Sequence, residues 1–153
     1  MPRNEFDAPD TDRIQDLDRT VVTRWGGDPI LLIRGFVPVV AVFLMYAADL
    51  EPRGLSGIEQ MFVLQLMLHK WTANAPYPSY DRIAHRLKVS TIYARKIAKG
   101  LEERGFLVRR RRPVQTTEFD LQPLFDRLAG HVRLKERQRG NSSGDPPGGV
   151  SLS

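Results

Sequence analysis

Between Ser79 and Arg112 the chain carries eleven Lys or Arg residues against three Asp or Glu, a local net charge of +8. The whole chain carries only +5, so everything outside this segment is net acidic. Cations gathered this way suit one kind of chemistry, the neutralisation of a phosphate backbone with release of its counterions. Guanidinium groups add a second capability, because their planar fork fits the O6 and N7 edge of guanine. Other chemistries find little support. There is no cysteine, which excludes thiolate metal sites, disulfides and cysteine nucleophiles. His69, His85 and His131 have no second ligand at helical spacing, so no metal is expected. Glu102-Glu103 reads as a solvated face rather than an acid/base pair. No glycine-rich phosphate loop, G-x-S-x-G or H-E-x-x-H occurs, so neither an enzyme nor a cofactor is expected.

The elements that would position these cations follow from local signals. Ser56-Gly-Ile-Glu59 has capping-box spacing and opens an apolar helix reaching about Trp71. Gln65 is its only polar residue between Met61 and Leu68, so the helix belongs in the core. Residues 72–78, with two prolines, form a loop. Ser79 caps a short helix, Tyr80 to Leu87, with Ile83, Ala84 and Leu87 inward. After a tight turn at Lys88-Val89, Ser90 caps a third helix that runs to Arg104. Gly105 then suits the left-handed end. Gly100 is expected to loosen or kink that helix. At 100° per residue Ala94, Ile97, Ala98 and Leu101 share one face. Ile92, Lys96 and Lys99 stand opposite, flanked by Thr91, Arg95 and Tyr93. Phe106 to Arg112 reads as a strand, 113–116 as a turn and Thr117 to Leu121 as the return strand. Pro123 begins a last helix carrying Leu124, Phe125, Leu128 and Val132.

Four consecutive arginines on one strand must point to both faces. Arg109, Arg110, Arg111 and Arg112 are therefore either part of a hairpin projecting into solvent and touching nucleic acid, or an ordinary solvated strand. Exposed Ile92 is either a thymine-methyl contact or surface scatter. Tyr93 either packs on the protein or meets a phosphate.

The order helix, short helix, tight turn, helix, hairpin resembles the winged helix-turn-helix superfamily. It looks most like the domains of plasmid and phage replication initiators and related bacterial regulators. The resemblance rests on Pro76-Tyr-Pro-Ser-Tyr-Asp-Arg-Ile-Ala-His-Arg-Leu-Lys-Val-Ser90, on Ala94 and Ile97, on Leu101-Glu-Glu-Arg-Gly-Phe-Leu107, and on Phe119-Asp-Leu-Gln-Pro-Leu-Phe125. It covers about half the chain. It implies a mainly α fold with a small β-hairpin wing and extra helices at both ends. It also implies a third helix that enters the major groove of double-stranded DNA. The candidate contacts are Ser79, Arg82, Arg86, Lys88, Ser90, Thr91, Ile92, Tyr93, Arg95, Lys96, Lys99, Arg109, Arg110, Arg111 and Arg112. The roles implied are transcriptional regulation, or replication or partition of a mobile element. The alternative is a winged-helix protein-interaction module that reads no DNA.

With 153 residues and 41% hydrophobic content, the chain suits one ordinary domain. Residues 1–20 read as an acidic disordered arm and 21–54 as an extension with a short buried strand at Ile30–Ile33 and a helix from Val39 to Leu50. Residues 55–128 are the winged helix, 129–140 the end of the last helix and 141–153 a flexible tail. The apolar stretch from Pro29 to Ala48 is broken by Arg34, Gly35 and Pro38 and is too short to span a bilayer. A cytoplasmic, nucleoid-associated protein of bacterial, phage or plasmid origin is expected. A homodimer is expected through Val37 to Tyr46 and the last helix, surfaces that could alternatively take a protein partner.

Overall fold

The computed structural model describes residues 19–69, 76–113 and 117–142. The expected acidic arm up to Asp18, the end of the apolar helix at Trp71, most of the proline-containing loop, the tip of the hairpin and the tail from 143 lie outside them. The chain divides between Pro38 and Val39 into two compact units, so the segment from Val39 to Gly54 belongs with the larger unit.

In the first unit α1 spans Arg19–Arg24. Gly26 and Gly27, both at positive φ, turn the chain. Ile30 to Ile33 was expected as a buried strand. Instead Pro29–Leu32 is a 3-10 turn capped by Asp28, whose Oδ1 accepts from the Ile30 amide at 3.0 Å. Pro29 fixes a helical φ and lacks the amide a strand would need. Ile30 and Leu31 are exposed.

In the second unit α2 spans Ala41–Tyr46, followed by a 3-10 turn, Ala47–Asp49. Pro38 and Val39 stay outside it and Val40 is extended at its N-cap. β-Branched side chains resist the helical rotamer, so this helix is shorter than expected. Gly54 then passes so close to Ala48 that a Cβ would overlap its carbonyl. α3, Gly57–Leu68, begins at the Ser56–Glu59 capping box, with both reciprocal bonds present. α4 spans Tyr80–Leu87 and α5 Thr91–Glu103, capped by the Ser79 and Ser90 hydroxyls as their residue types require. The turn between them needs Lys88 at φ 57°, a left-handed conformation rare for a side chain of this size. α5 continues through Gly100 without a break, and Gly105 at φ 74° ends it. β1, Val108–Arg111, pairs antiparallel with β2, Thr117–Asp120, with Arg110 opposite Glu118. α6 spans Gln122–Ser142, starting on a bond from its first amide to Asp120 Oδ1 and running past the expected end at 140.

The core lies where α3, α4, α5 and the hairpin meet. Phe62 of α3 packs edge-on against Phe119 of β2 at 6.0 Å between ring centroids. Ala94, Ile97, Ala98 and Leu101 are all buried, as the helical spacing requires. Leu124 and Leu128 are buried within this unit, and Tyr46 of α2 meets His131 of α6 at 5.1 Å. Two segments expected to face a second copy therefore partly cover each other within one chain. Val40, Leu44 and Met45 stay exposed. Among the described residues no helix is long and apolar enough to cross a membrane.

Candidate nucleic-acid interface

The buried seam of α5 fixes what its other face must present. Ile92 is 81% exposed, and Tyr93, Arg95, Lys96 and Lys99 are exposed beside it. Among the described residues neither Arg95 nor Lys96 has a hydrogen-bond or ion-pair partner. Lys99 lies 3.8 Å from Glu103, but both are solvated, so that pair holds it weakly. Arg95 lies with its guanidinium carbon 4.5 Å from the centroid of the Tyr80 ring. Thr91 donates to Asp81 at 2.7 Å, tying the first turn of α5 to α4. Arg82 and Lys88 are exposed on α4 and its turn.

Other expected contacts have work inside the protein. The Ser79 and Ser90 hydroxyls accept from the amides of Arg82 and Tyr93. Arg86 is half-buried against His69, its Nη1 3.0 Å from the imidazole Nε2. Arg109 bonds Glu102 and donates to the Tyr80 hydroxyl at 3.4 Å. Burial acts against the Arg109 charge, but the bonds to Tyr80 and Glu102 outweigh it and raise its pKa. Arg110 pairs with Asp120 at 3.2 Å and with Glu118 at 3.8 Å. Arg112 lies 3.6 Å from Glu118 and over the Tyr77 ring. Arg111 is exposed, with no partner among the described residues. The basic segment is thus less bare than its sequence suggests. Glu118 and Asp120 on the return strand bring the net charge from Ser79 to Leu121 down to +6, eleven cations against five carboxylates. Arg104, counted in the basic segment, turns away from this face and pairs with Glu59, the one charged residue buried in the described core. Glu59 was legible as a cap, but no sequence signal gave it a buried cationic partner.

His69 yields a pH dependence. Burial, then the charges of Arg86 and Arg82, lower its pKa from 6.5 to about 4. It is neutral at pH 7, and its Nε2 accepts from Arg86, which can only donate. The unfolded chain takes up this proton near pH 6.5 and the folded chain only near 4. The contribution is therefore full above 6.5 and lost as pH falls towards 4. His69 is only half-buried, which discounts the effect to about 1 kcal/mol by pH 5. Thermal melts at pH 7 and pH 5 are expected to differ less for His69→Gln than for the native chain. Equal drops in the two proteins would contradict it.

No curated protein sequence matches the chain. The family model for a helix-turn-helix domain matches residues 53–107, which contain α3, α4 and α5. With the antiparallel hairpin that follows them, the order of these helices is consistent with a winged helix-turn-helix.

Proposed function

We propose that the chain binds double-stranded DNA sequence-specifically, with α5 as the recognition helix and the β1–β2 hairpin as the wing. Transcriptional regulation, or an accessory role in replication or partition of a mobile element, is the use proposed, with no enzymatic step. The observation that carries it is the free face of α5, where Ile92, Arg95 and Lys96 stand opposite a fully buried seam. Arg95 and Ile92 read base edges, as guanidinium and methyl groups can. Tyr93, Lys96, Lys99, Arg82, Lys88 and Arg111 position the domain on phosphates, which carry no sequence information. One such domain reads a short half-site, so two copies on a two-fold site supply the specificity. The exposed Val40, Leu44 and Met45 are the surface proposed for that pairing. An inverted repeat in the bound site is its signature.

Binding to duplex DNA is expected to weaken steeply with salt. If about four to six phosphates are neutralised, the slope of log K against log salt is about −4 to −5. One observation favours the second reading, a protein-interaction module: three of the four wing arginines already hold carboxylates of the chain. A flat salt response, or no retention on duplex DNA at low salt, would decide for that reading.

A further inference from the structure

We infer that Tyr80 is the positioning residue for base reading, holding the Arg95 guanidinium by the flat face of its ring and joining it to the wing through its hydroxyl. This rests on the proposed reading of DNA by α5 and adds the residue that makes Arg95 a defined reader.

Tyr80 is the first residue of α4 and is 7% exposed. Its ring stands edge-on to Phe119 of β2, 5.5 Å between centroids at 82°, which fixes the ring plane. One face of the ring carries the Arg95 guanidinium at 4.5 Å. The hydroxyl accepts from Arg109 Nη1 at 3.4 Å, and Arg109 in turn holds Glu102 of α5. One buried side chain therefore touches the exposed reader on α5 and strand β1.

Arginine is a poor reader when free, because its long side chain loses much rotamer freedom on binding. Stacking on a fixed ring removes part of that loss beforehand. A cation held over a ring by its charge takes up no hydrogen-bond acceptor of the protein. None of the Arg95 N–H donors is engaged by the described protein, so all remain for the guanine edge. A carboxylate partner would have fixed Arg95 equally well but would have taken the same donors. Phenylalanine at this position keeps the face and drops the link to Arg109. Leucine keeps the apolar bulk and drops the face.

The test uses the full chain on a duplex site selected by the native protein. Arg95→Ala first identifies the base pair whose discrimination it abolishes. The ratio of Kd values for the preferred and exchanged pair at that position is then measured for Tyr80→Phe and Tyr80→Leu. The same ratio at a second, unrelated pair serves as control, and thermal melts follow each variant. Tyr80→Leu is expected to lower the first ratio about fivefold, the scale of a cation–π contact, and to spare the second. Tyr80→Phe is expected to keep both ratios. If Tyr80→Leu does not fold, phenylalanine is compared with pentafluorophenylalanine at position 80. Those two rings match closely in shape, and only the fluorinated one repels the cation, so only it is expected to lower the first ratio. An unchanged first ratio in Tyr80→Leu (or in the pentafluorophenylalanine protein where Tyr80→Leu does not fold), or an equal fall in both ratios, would overturn the inference and leave Tyr80 a packing residue. If Arg95→Ala changes no ratio, the inference falls together with the role of Arg95. If the native chain prefers no sequence at all, it is the proposed function that fails.

Discussion

Replacing Arg95 by alanine is expected to cost about 1–3 kcal/mol on the preferred duplex and to relax specificity at one base pair. The fold should hardly notice, because Arg95 is exposed and, among the described residues, holds no hydrogen bond or ion pair besides its contact with the Tyr80 ring. Surface changes of this kind stay within about 0.5 kcal/mol in stability. The contrast is with Arg111→Ala, which removes a phosphate contact and should weaken all sequences alike. Competition binding against a panel of single-base variants measures both. The assignment fails if Arg95→Ala weakens every duplex equally while Arg111→Ala changes which are preferred.

The largest effect on stability is expected from Arg104→Leu. Glu59 closes the capping box of α3 and lies buried, with its side chain 11% exposed. Arg104, 13% exposed, is its ion-pair partner and also donates to the carbonyls of Arg53, Gly54 and Gly100. Removing one member leaves a buried charge uncompensated, at a cost of about 3–5 kcal/mol. Arg53, 3.8 Å from the carboxylate but largely solvated, offsets little of this. The double replacement Glu59→Gln with Arg104→Leu should recover much of the loss, because no charge then remains in the core. Urea titrations of the three proteins check the ordering. A single Arg104→Leu that unfolds within about 1 kcal/mol of the native chain would show that Glu59 is solvated after all.

What could be read from the sequence was what is local. Ser56, Ser79, Ser90 and Gly105 mark their helix ends because a cap needs only its own residue and its neighbours' amides. The seam of Ala94, Ile97, Ala98 and Leu101 follows from 3.6 residues per turn alone. What escaped reading was set by tertiary register. The basic count of the hairpin left out Glu118 and Asp120, which meet Arg110 and Arg112 only once the strands pair. Arg104 sits one residue beyond α5 and looks like part of the same basic run. Its inward turn depends on where α3 presents Glu59. Ile30 to Ile33 has the apolar run of a strand, yet the described residues of the first unit hold no strand to pair with it, and Asp28 offers a cap instead. The mutual cover of Tyr46 and His131 is likewise invisible until α2 and α6 pack.

Selection of duplexes bound by the full chain from a random pool tests the central claim most directly. Enrichment of one motif containing a guanine is expected, with a preference that Arg95→Ala removes. Pairing of copies further predicts that the motif recurs as an inverted repeat with half-sites about 10 base pairs apart, or a multiple of that. A single, unrepeated half-site would remove the pairing and keep the reading by α5. A bound pool no different in sequence from the starting pool would contradict the central claim itself.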